Sequence, residues 1–92
     1  MTMIFLKQKV KDYQTWKSSF DKQADARELF GCKGCRIFRD LHDPDEVILF
    51  LELENIGGAK QFVQSPDFKK ITGLNGDEAC YVEDAGTGTV PA

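Results

Sequence analysis

Residues Val47, Leu49, Leu51 and Leu53 alternate with Ile48 and Phe50, so the stretch 46–53 is apolar on both faces. Side chains alternate across a strand, and a strand that is oily on both sides needs cover above and below. Residues 3–10 read as an earlier strand, with Ile4, Phe5, Leu6 and Val10 set among lysines. From Tyr13 the repeat lengthens to three and four residues, through Trp16, Phe20 and Ala24, which is the period of a helix. Asp12 stands at its N-cap, and Gly31 is placed to stop it.

Residues 33–41 read as a second strand, and the turn His42-Asp43-Pro44-Asp45 joins it to 46–53 as an antiparallel hairpin. Asn55 caps a second helix whose apolar face is Ala59, Phe62 and Val63. Ser65-Pro66 restarts it, with Ser as N-cap and Pro at the first helical position, and Phe68 and Ile71 continue the burial. Residues 73–76 form a loop and 79–83 a last strand. The order β-α-β-β-α-β is that of the ferredoxin-like α+β unit. Right-handed crossovers place both helices on one face of a four-stranded antiparallel sheet. The bare face then asks for a second copy of the chain, giving a two-sheet barrel with the helices outside. The expected organisation is one domain over 1–85 and a Gly-, Thr- and Pro-containing tail over 86–92, either flexible or laid on the partner.

Composition narrows the function classes. The 92 residues carry a net charge of −3, which argues against a nucleic-acid partner. No apolar run approaches the roughly 20 residues that span a bilayer, so no membrane contact is expected. The first residues lack the charged and apolar regions of a signal peptide. With the 3 cysteines, this points to a reducing cytoplasm.

The run Val10-Lys11-Asp12-Tyr13-Gln14-Thr15-Trp16, with Phe20-Asp21, Arg27 and Gly31, resembles a small branch of the dimeric α+β barrel superfamily. Arg39-Asp40, Asp43-Pro44-Asp45-Glu46-Val47, Glu52, Ala59-Lys60, Phe62 and Ser65-Pro66 fit the same pattern. The branch is similar to antibiotic biosynthesis monooxygenases and to cyclase-like proteins. The resemblance implies a homodimer with an apolar pocket between helices and sheet. It also implies a cofactor-independent monooxygenase or cyclase acting on a small aromatic or enolisable compound. Haem degraders of the superfamily resemble one another in an Asn, Trp, His set with the histidine on the second helix. Here that helix has no histidine, and no cofactor is expected. The alternative is a small-molecule-binding or stress-response dimer without turnover.

Several side chains could carry such chemistry. Arg27 falls near the apolar stripe of the first helix and could clamp a carboxylate, enolate or phenolate. Otherwise its stem packs on the core while its head reaches water or a strand carboxylate. Trp16 and Phe20 could stack on a flat substrate or simply be core. Glu52 is a candidate acid or base, or else the partner of Arg27 or Arg39 in a structural ion pair. A four-residue hairpin loop would put Cys35, Ile37, Arg39, Ile48, Phe50 and Glu52 on one face, and an odd loop would reverse this register. Arg39 and Phe50 would then help bind substrate. His42 is a surface turn residue or a base at a pocket mouth. Cys32-Lys33-Gly34-Cys35 has CxxC spacing but follows a helix C-terminus, the wrong dipole end for a reactive thiolate.

Overall fold

Strand β1 (Thr2–Lys9) and strand β2 (Cys32–Arg39) flank strand β3 (Glu46–Leu53), and β4 (Cys80–Glu83) pairs with the outer side of β1. The sheet order is β2-β3-β1-β4, with every pairing antiparallel. This computed structural model describes residues 2–91. Met1 and Ala92, the outer limits of the expected domain and tail, lie outside the described residues.

The apolar pattern of β3 explains its central place. Val47, Leu49, Leu51 and Leu53 are buried, as are Ile4 and Leu6 beside them on β1. Over them lie α1 (Tyr13–Lys22), α2 (Ala24–Leu29), α3 (Ile56–Gln64) and α4 (Asp67–Thr72). Trp16, Phe20, Ala59, Phe62, Phe68 and Ile71 are the buried apolar side chains of that helical layer. Phe62 sits at its centre, with its ring centroid 4.9 Å from that of Phe30 and 5.1 Å from that of Phe68. Among the described residues no helix is long and apolar enough to cross a membrane.

The caps act largely as their residue types require. The Asp12 carboxylate accepts from the Thr15 backbone N–H at 2.9 Å and from the Thr15 hydroxyl at 2.7 Å. These bonds hold its pKa below the ordinary carboxylate value. Asn55 Oδ1 accepts from the Gly58 N–H at 2.7 Å. Asp45 ties the hairpin to the start of α1: its carboxylate accepts from the Tyr13 N–H and its carbonyl from the Val10 N–H.

Two expectations for the helices are corrected. The first helix is interrupted at Gln23, whose N–H closes on the Phe20 carbonyl in a tight i→i+3 bond. At the second restart, Ser65 does not cap with its hydroxyl. That hydroxyl donates back to the Phe62 carbonyl at 2.8 Å, while the Ser65 carbonyl accepts from the Phe68 N–H. Pro66 itself takes the N-cap position, not the first helical position expected of it, and α4 begins at Asp67.

Helix α4 ends at Gly73, which adopts φ 73°, a left-handed conformation that costs other residues about 1–2 kcal/mol. A Cβ there would also lie 3.2 Å from the Trp16 indole. The indole Nε1 donates to the neighbouring Thr72 carbonyl at 2.6 Å, joining α1 to the end of α4. Gly73→Ala is therefore expected to lower unfolding stability by about 1–2 kcal/mol or more, read by urea denaturation. An unchanged midpoint would contradict this role for the glycine.

Candidate functional site

The hairpin turn sets which side chains share the helix-free face. His42 N–H donates to Asp40 Oδ1, and Asp45 N–H to Asp43 Oδ1, two Asx turns in succession. The Asp40 N–H then bonds the Glu46 carbonyl, so residues 41–45, an odd number, form the loop. The register is consequently Gly34↔Glu52, Arg36↔Phe50, Phe38↔Ile48 and Arg39↔Val47. This reverses the four-residue expectation: Cys35, Ile37 and Arg39 turn toward the helix side, and Gly34, Arg36 and Phe38 join Phe50 and Glu52. The strand β2 also carries an irregularity between Cys32 and Gly34.

The helix-free face is a band of aromatic rings. The Phe5 and Phe50 centroids are 5.0 Å apart, and Phe38 meets Phe50 edge-on at 5.9 Å. The Arg36 guanidinium lies 5.6 Å from the Phe38 ring centroid. Beside these rings is an open groove of about 670 Å³, lined by Met3, Gly34, Cys35, Arg36, Phe38, Phe50, Glu52 and Asp84. A Cβ at Gly34 would sit 3.4 Å from Glu52 Oε2, so the carboxylate lies over the glycine. Glu52 makes no ion pair among the described residues, so the expected bond to Arg27 or Arg39 is absent there. A carboxylate and a guanidinium in an apolar groove can move a proton and balance a developing negative charge.

The other candidate residues lie elsewhere. Trp16 and Phe20 are buried core, stacked on each other at 4.9 Å. The layer between helices and sheet, where the pocket was expected, is filled at their positions by these rings together with Phe62 and Phe68. Arg27 is buried over Phe20, on the helix side. Arg39 rests 4.0 Å above the Tyr13 ring and donates from Nε to the Pro44 carbonyl at 2.8 Å. It thus staples the hairpin to α1. His42 is exposed in the turn. Of the expected site residues, only Phe50 and Glu52 meet in the groove. Arg36 and Phe38 were missed because their face depends on the parity of the turn.

Comparison with solved structures identifies the class of fold. A proposed antibiotic biosynthesis monooxygenase from Deinococcus radiodurans superposes over 100% of both chains, with TM-score 0.65 and 14% identity. An antibiotic biosynthesis monooxygenase superposes over 95% of this chain and 100% of its own, with TM-score 0.62 and 14% identity. A conserved protein from Methanosarcina mazei Go1 covers 88% of this chain and 87% of its own, with TM-score 0.59 and 17% identity. No family profile and no curated protein sequence matches the chain. The protein thus has the ferredoxin-like α+β fold of these structures, as the resemblance in its sequence implied. Fold alone does not fix a reaction.

Proposed function

We propose that the protein works as a homodimer whose two helix-free sheet faces pack together and close the Phe50–Glu52 groove into a chamber. The chamber takes a small aromatic or enolisable compound and oxidises or cyclises it without a cofactor. One observation carries this reading: the bare face holds the Phe5, Phe38 and Phe50 rings together with the Glu52 carboxylate and the Arg36 guanidinium. Apolar rings left half-covered on a small chain favour a partner surface. The polar pair supplies what an enolisable substrate needs.

Glu52 takes a proton from an activated methylene of the substrate, and Arg36 balances the enolate. The enolate carbon gives its electrons to dioxygen and forms a peroxide. Loss of the second methylene proton and cleavage of the O–O bond leave one oxygen as a new carbonyl. The other oxygen departs as water with both hydrogens, so no outside reductant is consumed. Anthrone is a suitable probe. An oxygen electrode should record one dioxygen consumed per anthraquinone formed, and Glu52→Gln should slow uptake by about 10²–10⁴-fold. Uptake no faster than in protein-free buffer would overturn the monooxygenase reading.

The placement of Arg27 and His42 away from the groove favours the second reading, a dimer that binds such compounds without turnover. Equilibrium dialysis of anthrone under nitrogen separates the two: binding with no oxygen uptake in air identifies the second.

A further inference from the structure

Arg27 is only 7% exposed, yet among the described residues no carboxylate lies within ion-pair distance of it. Its Nη1 donates to the Phe20 carbonyl, the acceptor used by the break between α1 and α2. Its Cζ lies 3.7 Å from the Phe20 ring centroid. These two contacts fix the plane of the guanidinium and use one of its N–H groups. Every fully buried side-chain nitrogen among the described residues has a hydrogen-bond partner. Nε and Nη2, which have no such partner, therefore keep access to the surface.

Arg27 lines a second groove, of about 330 Å³, between α2 and the edge strand β2. Its walls are Arg27, Glu28, Cys32, Lys33, Gly34 and Cys35. Lys33 is paired with Glu54 at 3.2 Å at the surface, so Arg27 is the cation of this groove without a carboxylate partner among the described residues. A guanidinium already oriented by stacking loses little freedom when it grips a planar, two-oxygen anion. Glu28 at the wall disfavours a dianion.

We propose that this groove is an anion site, adjoining the Glu52 groove at Gly34 and Cys35 but built on a different cation. It takes a small carboxylate against the free N–H groups of Arg27, beside the Cys32 and Cys35 thiols.

The thiols supply the test. Iodoacetate and iodoacetamide alkylate by the same step: the thiolate forms an S–C bond and iodide leaves. They differ in the carboxylate. Cys35 and Cys80 are both exposed, and they lie on opposite edge strands of the sheet. Cys32 is half-buried, which pushes its thiol up in pKa, whereas Cys35 is open to reagent and serves as the reporter within the groove. Site-resolved mass spectrometry of the native protein should give an iodoacetate-to-iodoacetamide rate ratio about fivefold higher at Cys35 than at Cys80. Millimolar acetate should lower the ratio at Cys35 and leave Cys80 unchanged. The raised ratio should survive Lys33→Gln and disappear in Arg27→Gln. Should Arg27→Gln fail to fold, the same acetate competition in Arg36→Gln, which removes the neighbouring cation of the adjoining groove, still decides: the raised ratio at Cys35 should persist there, and its loss would overturn the assignment. Equal ratios at the two cysteines, a ratio insensitive to acetate, or loss of the effect in Lys33→Gln would each overturn the assignment to Arg27.

Discussion

Phe50→Asp is expected to leave the protein folded but unable to pair, with light scattering on a sizing column reading the 10.4 kDa of one chain. Phe50 is on the central strand, between Phe5 and Phe38 on the helix-free face. In the proposed dimer this face is dry, and a two-fold axis brings in each substitution twice. An unpaired buried carboxylate costs several kcal/mol, enough to dissociate a small interface. The side chain is only half-buried in the single chain, so circular dichroism should change little. A variant that kept the dimer mass would contradict the proposed pairing of sheet faces.

Phe62→Ala is the largest expected loss within a chain. The ring is fully buried at the meeting point of Phe30, Phe68 and the sheet. Truncations of this kind cost about 3–5 kcal/mol, through lost burial and the cavity left behind. Domains of this size have about 5–15 kcal/mol in total. The urea midpoint should therefore fall by a large fraction of its native value, or the variant should be unfolded without denaturant. A midpoint within error of the native one would show that Phe62 does not anchor the helical layer.

The layer plan was legible because it rests on periodicity. Glu46–Leu53 is the strand its alternation predicts, and the residues on its helix side are the ones buried. Asp12 and Asn55 cap as their side chains dictate. What was not legible depends on single-residue parity or on how fully a space is packed. An odd turn moves Arg36 and Phe38 onto the groove face and takes Arg39 off it, and no apolar pattern in 33–41 fixes that parity. Trp16 and Phe20 have the helical spacing of either a pocket wall or a core. Only the packing distinguishes them, and the two rings stack on each other. Arg27 looked like a clamp or a snorkelling side chain. Its distinguishing feature, the bond it donates to the Phe20 carbonyl, lies at a helix break that the stripe from Tyr13 to Ala24 does not announce.

The bare aromatic face is the pivot for both architecture and chemistry, and sedimentation equilibrium of the unaltered protein at micromolar concentration tests it most directly. The expected mass is about twice the 10.4 kDa of the chain. A monodisperse species at the mass of one chain, stable and soluble across the dilution series, would contradict the proposed closure of the groove by a second copy.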